Sequence, residues 1–363
     1  MHPYVIQEMT IMMQETFGNP SSIHGFGRIA HEKLETARQL IADSLQVNDH
    51  EIIFNSGGTE GDNTAILETA FSRKKDGNHL ITTAIEHPAV LNTMKYLETQ
   101  GFEVTYLPVD EKGNISLTDF DEALSGETIL VSIMFGNNEI GNLMPIKEIG
   151  ERLREHPAYF HTDAVQAYGN QTIHPRELGV DLLSISAHKI NGPKGVGFLY
   201  KKDGINIPSL LLGGEQEEKR RAGTENLAGI WGMAQAVKLL TAEEREARSE
   251  KYAGFQELIL DTLEKEGISY QVNGDLNNKL PHVLNLRLPG VANDLLLMKL
   301  DLNGIAISTG SACTAGNIEP SHVLEAMYGK DTPILKESIR ISFGYGNTKE
   351  EVQRFLDVLI QSI

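Results

Sequence analysis

The sequence predicts an α/β protein, with a mostly parallel sheet flanked by helices and then a smaller α+β unit. Three observations predict it. Between about residues 50 and 200, seven short apolar runs alternate with helical patterns. Such alternation makes successive strands parallel neighbours joined by crossover helices. From Leu227 a long charged helical stretch interrupts the pattern, and beyond it strands and helices mix irregularly. The expected division is residues 1–245 for the larger unit and 246–363 for the smaller. The first residues are expected to pack with the smaller one.

The elements follow in order. "EIIFNS" reads as a strand and "TEGDNTAILETAF" as a helix. "HLITTAI" is a strand, and "PAVLNTMKYLETQ" is a helix opened by proline at its first turn. "FEVTYLPV" is a strand, and "SLTDFDEAL" starts with a Ser-x-x-Asp capping pattern. "TILVSIMF" reads as a strand buried on both faces, and "IKEIGERLRE" as a helix. "AYFHTDA", "VDLLSIS" and "GVGFLY" complete the seven strands. The stretch from Leu227 to Gly267 reads as one long helical connector. After it come strand "HVLNLRLP", helix "ANDLLLMKLDLNG", strand "IAIS", helix "SHVLEAMYG", strand "SIRISFG" and helix "TKEEVQRFLDVLIQSI".

Composition narrows the function. The net charge of −18 argues against broad contact with nucleic acid or an anionic membrane. No apolar run has the length of a membrane span, and "MHPYVIQEMT" lacks the charged and apolar regions of an export signal. With a single cysteine, a reducing cytoplasm is the expected location. That cysteine, Cys313, lies in "STGSACTAG", among small polar residues that no core needs. It cannot form a disulfide within the chain or a Cys-rich metal site, and no metal is expected. Two readings stand: an incidental loop thiol, or a positioned nucleophile. The segment between "IAIS" and "SIRISFG" spans roughly twenty-five residues, a length usually tied to function.

Polar residues gather at the ends of the strands, where ligands sit in open α/β sheets. Gly57, Gly58 and Thr59 follow the first strand and open a helix, which suits a phosphate; an ordinary turn leaves the same trace. Lys189, after "SISAH", is placed to form an imine with a carbonyl, though a surface lysine ending a strand is common. Asp163 ends another strand with Gln166 close behind. It is either a buried carboxylate needing a cationic partner or a helix N-cap. His87 and the Asn137-Asn138-Glu139 group mark two further ends, with a loop histidine and a turn as the plain alternatives. Together they supply what pyridoxal phosphate requires: an amine, a carboxylate for a ring nitrogen, a phosphate cup and a histidine facing the ring.

"FNSGGTEGDN", "AIEHPAV", "NNEIG", "HTDAVQAYG", "SAHKINGPKGVGFLY", "RRAGTEN", "STGSACTAG" and "SIRISFG" resemble the signature segments of the NifS/IscS-type cysteine desulfurases. These are class V, fold-type I pyridoxal-phosphate enzymes, and the resemblance runs from "FGNPSSIH" onward. The long segment after Cys313 is similar to the NifS/IscS branch rather than the SufS branch. The family's opening Asp-Asn-x-Ala-Thr-Thr segment, which lines its substrate pocket, has no match in the sequence.

The resemblance implies roles. Lys189 binds the cofactor covalently, Asp163 pairs with its ring nitrogen and Gln166 hydrogen-bonds its phenolic oxygen. His87 stacks on the ring and assists proton transfer. Gly58, Thr59, Ser186 and His188 hold the phosphate, joined by Thr224 from a second subunit. Asn138 and Arg340 hold the carboxylate of L-cysteine. Cys313 accepts the sulfur as a persulfide, alanine leaves, and the sulfur passes to a protein acceptor serving iron–sulfur cluster assembly or tRNA thiolation. A homodimer is expected, with no direct nucleic-acid contact and no membrane. The alternatives are a selenocysteine lyase, another class V aminotransferase, or a weakly active cofactor-bound scaffold that docks partners.

Overall fold

The structure is a computed structural model that describes residues 1–310 and 320–363. Two helices come first, α1 (Pro3–Glu15) and α2 (Gly25–Leu45). On α2, Ala30, Leu34, Ala37, Ile41 and Leu45 are buried, a three-to-four-residue spacing that lays one apolar stripe on the core. The alternating region follows as β1 (Ile52–Asn55), α3 (Gly58–Ser72), β2 (His79–Thr83), α4 (Pro88–Thr99), β3 (Glu103–Leu107), α5 (Leu117–Ala123), β4 (Thr128–Ser132), α6 (Ile146–Leu153), β5 (Tyr159–Asp163), α7 (Pro175–Leu178), β6 (Leu182–Ser186) and β7 (Gly197–Lys201). All seven expected strands form, each within a few residues of its sequence run.

The sheet order is β1-β7-β6-β5-β4-β2-β3. Pairs β2/β3, β2/β4, β4/β5 and β5/β6 are parallel, and β7 runs antiparallel to both β6 and β1. Both faces are covered. Ile81, Val131, Leu183 and Phe198 point into one core, while Leu80, Leu130, Leu182 and Leu199 point to the other side. The two-residue period of a strand makes neighbouring residues serve opposite layers.

The rest of the chain comprises α8 (Gln216–Lys219), α9 (Leu227–Lys238), α10 (Ala242–Lys265), β8 (Gln271–Asn273), β9 (Val283–Arg287), α11 (Asn293–Leu302), α12 (His322–Tyr328), α13 (Ile334–Glu337), β10 (Ser338–Ser342) and α14 (Lys349–Ser362). A three-stranded antiparallel sheet, β10-β9-β8, carries a second core with Phe255, Ile259, Leu286, Leu296 and Leu356. The expected division at 245/246 falls inside α10. Val5 and Met12 of α1 are buried in the larger core, while the His2 ring meets Tyr345 at 4.6 Å.

Two sequence readings are corrected. The stretch from Leu227 is two helices, because Thr241 caps α10 by accepting from the Glu244 amide. "IAIS" is not a strand. It makes a single bridge, Ser308 to Arg340.

One ion pair fastens the α8 segment to the sheet. Arg38 on α2 donates through Nη1 and Nη2 to Glu217, each at 2.7 Å, and Glu217 also accepts from the Phe54 amide of β1. The two side chains are 6% and 1% exposed. Glu217→Ala leaves the buried guanidinium only the more exposed Glu35, at 3.2 Å, as its anion. It is expected to lower unfolding free energy by about 3–5 kcal/mol, the cost of breaking a buried pair from one side. Urea denaturation measures this, and a loss of only about 0.5 kcal/mol, as for a surface pair, refutes it.

Candidate active site

Strand direction assembles the site. β2, β4, β5 and β6 are parallel, so their C-terminal ends share one edge of the sheet. β1 lies beyond antiparallel β7 and therefore runs with the others, which brings its end to the same edge. Asn55 pairs with Gly197, and Gly197 with Ser186, placing the three side by side. A cavity of about 410 Å³ opens at this edge. It is lined by Gly58, Thr59, Asp62, His87, Asn138, Asp163, Gln166, Ser186, His188, Lys189 and Arg340, among others.

Each wall has a local cause. Gly57 caps α3 with φ at +139°, a conformation side chains resist, and α3 then starts with its amides facing the cavity. A Cβ on Gly197 would come within 2.6 Å of the Gly57 Cα, so glycine lets the two backbones approach. His87 is the N-cap of α4, its Nδ1 accepting from the Ala89 amide at 3.1 Å, which orients the ring. Ser186 Oγ and His188 Nδ1 lie 2.8 Å apart. Lys189 sits in the turn after β6 and is open to the cavity. Asp163 ends β5 and accepts from the Val165 amide at 2.9 Å. Arg340 comes from β10 of the second sheet, its Nη1 donating to the Asn138 carbonyl at 3.1 Å.

Two buried carboxyl groups form the cavity floor. Burial pushes Asp163 above the usual carboxylate range, opposed by nearby His87 and Lys189. Burial raises Asp62 further, and Asp163 adds repulsion. Asp62 Oδ1 is buried without a hydrogen-bond partner. Ligand atoms of Asp62, His87 and Asp163 lie within 4.8 Å of one another. Below them, buried His161 bonds Ser132 at 2.8 Å and Ser184 at 3.0 Å, and burial lowers it to about 3. A neutral imidazole leaves the two carboxylates unneutralised from below. What enters from above should be cationic where it meets them. Burial also lowers His87 and His188.

Ten of the twelve residues singled out in the sequence line this one cavity: Gly58, Thr59, His87, Asn138, Asp163, Gln166, Ser186, His188, Lys189 and Arg340. Thr224 does not line it and is exposed. Its segment lies alongside, since Arg221 pairs with Glu60 of the cavity wall at 2.8 Å. Cys313 lies outside the described residues. Sequence reasoning missed Asp62, His161 and His282. His161 had a signal, because it stands two residues before Asp163 on the same face of β5. Asp62 looked like any polar residue on a helix.

A family model for class-V aminotransferases matches residues 1–355. The chain is 54% identical over 349 residues to a Bacillus subtilis protein named putative cysteine desulfurase IscS 1, covering 96% of this chain and 92% of the relative. It is 46% identical over 359 residues to a Clostridium botulinum cysteine desulfurase IscS, covering 98% and 90%. Among solved structures, one named NifS-like protein superposes with a TM-score of 0.92 at 36% identity, covering 99% of this chain and 95% of the other. Another, named SspA in complex with cysteine, gives 0.83 at 35% identity, covering 94% and 95%.

Proposed function

The chain belongs to the class-V aminotransferase family, and from that premise we infer that it is a cysteine desulfurase, converting L-cysteine to alanine with pyridoxal phosphate as cofactor. The observation that carries the site assignment is one cavity that gathers an amine, a buried carboxylate and a capped histidine from three strand ends, with an arginine from the second sheet.

The cavity suits this cofactor chemically. Asp163, a buried carboxyl at the end of β5, suits a protonated ring nitrogen, whose charge would favour the ionised carboxylate against the cost of burial. The Gly57–Gly58 turn with the Ser186 and His188 side chains suits a phosphate at a helix N-terminus. When bound, the cofactor draws electrons from the substrate's α-carbon. Lys189 would anchor it, and the Lys189 amine would serve as the base for the α-proton, with His87 placed for the same work. Arg340 and Asn138 grip the substrate carboxylate. The Cys313 thiolate would bond to the substrate sulfur as the Cβ–S bond breaks; carbon would keep that electron pair, one proton would add at Cβ and one return to Cα, and a Cys313 persulfide and alanine would result.

Cys313 is the only cysteine, so no second thiol of the chain can resolve that persulfide. The sulfur therefore passes to another molecule, an iron–sulfur scaffold or a tRNA-thiolation enzyme. The working unit is a homodimer in which Thr224 serves the neighbour's cavity. Phe17, Ile23 and Leu212 support it, being apolar and more than 90% exposed in the single chain. Among the described residues, no helix is long and apolar enough to cross a membrane. The enzyme works in the cytoplasm.

Purified protein with L-cysteine and a reductant is expected to yield sulfide and alanine in equal amounts. Sedimentation is expected at twice the 40.1 kDa chain mass. Unchanged cysteine would leave the scaffold reading, and its conversion to mercaptopyruvate when a keto acid is supplied, with neither alanine nor sulfide, an aminotransferase. A monomer with full turnover would remove the role of Thr224.

A further inference from the structure

We propose that His282 is a positioning residue that locks the side-chain amide of Gln166, so that Gln166 presents its NH2 group, and not its oxygen, to the cavity. This rests on the reading above that the cavity holds pyridoxal phosphate. The two residues are 116 positions apart, and His282 Nε2 lies 3.1 Å from Gln166 Oε1. Gln166 lines the cavity; His282 stands behind it, immediately before β9. The His282 carbonyl accepts from the Phe343 amide at 2.9 Å, which ties its backbone to the chain just after β10.

The tautomer follows from the partners. His282 Nδ1 is enclosed and has no hydrogen-bond partner. A proton on Nδ1 would leave a buried donor unsatisfied and set the Nε2 lone pair against the lone pairs of Oε1. A proton on Nε2 removes both faults. His282 Nε2 therefore donates to Gln166 Oε1. Lys189, Lys279 and Arg340 are the charged groups acting on the ring, and burial together with these three cations lowers its pKa to about 4. The ring is thus neutral and unchanging across the range in which the cofactor titrates.

A solitary glutamine can turn its amide over, because its oxygen and nitrogen are nearly equal in size and both find partners in a polar cavity. With the oxygen held by His282, only N–H groups remain for the ligand. They suit the cofactor's phenolic oxygen and favour its anionic form. Without His282, the amide is free to turn its oxygen toward the ring, and that anion loses its donor.

The test uses holoenzyme and the pH at which the cofactor's visible band changes. His282→Phe keeps the bulk and removes the donor. It is expected to retain borohydride-fixed cofactor and to raise the midpoint by about half a unit to one unit, the worth of one neutral hydrogen bond. His282→Gln restores a donor near the Nε2 position and should return the midpoint toward wild type. His282→Asn, whose amide falls near Nδ1, should not. In a Gln166→Ala background, His282→Phe should add no further shift. An unmoved midpoint in His282→Phe, or equal shifts in Phe and Gln variants, overturns the proposal. If His282→Phe does not fold, the wild-type ring tautomer read by nitrogen NMR decides, and a proton on Nδ1 overturns it. Wild-type protein with no visible band or fixed cofactor would instead sink the cofactor reading, and this inference with it.

Discussion

Cys313→Ser is expected to keep its cofactor and still bind L-cysteine, yet to release sulfide at least on the order of 10³-fold more slowly than wild type. A hydroxyl is almost the same size as a thiol, so packing changes little. It is a far weaker nucleophile toward sulfur and cannot store the product as a persulfide. The loss therefore falls on the chemical step, in kcat, rather than on KM. The residues assigned to the cofactor lie at the sheet edge and on Arg340, so the visible band should be unchanged. Mass spectrometry gives a second readout. Wild type treated with cysteine and no reductant gains about one sulfur atom on the peptide containing "STGSACTAG", where the thiolate attacks. Near-normal turnover in the Ser variant, or sulfur found elsewhere, returns Cys313 to an incidental thiol.

With Lys189 proposed as both cofactor anchor and proton acceptor, turnover in Lys189→Ala is expected to fall by on the order of 10³-fold or more. Its visible band should disappear on dialysis, and borohydride should fix nothing to the chain. Lys189 follows a fully buried strand and opens onto a cavity whose floor holds Asp62 and Asp163. Folding should survive, because the side chain is exposed to the cavity and fills no core. A Lys189→Ala protein that still forms a borohydride-reducible adduct places the anchor on another lysine. Lys194 lines the same cavity and would be the next to test.

Much of this was legible in the chain itself. The strands could be read because each is a short apolar run buried on both faces, broken by residues with strong local preferences. Gly57 and Gly58 announced a turn, and Pro88 a helix start. The polar residues after those runs stood out because a doubly covered sheet leaves them no other place than its edge. The connector from Leu227 was misread for an equally local reason. Its helical periodicity continues through Leu240, and only the capping bond of Thr241 breaks it. "IAIS" has a strand's composition, but it meets β10 through a single bridge at Ser308.

By itself, the sequence determined the alternating elements, the family signature and ten residues that line one cavity, because turns, caps and apolar runs act over a few residues. Only the tertiary structure decided that β7 runs against both neighbours, which turns β1 so that its glycine turn reaches the common edge. Only it put Asp62 of α3 beside Asp163 of β5, and His282, just before β9, against Gln166, just after β5. Those pairings join residues about 100 positions apart. No local propensity encodes them; they follow from the order of the strands and from contacts between segments far apart in the sequence.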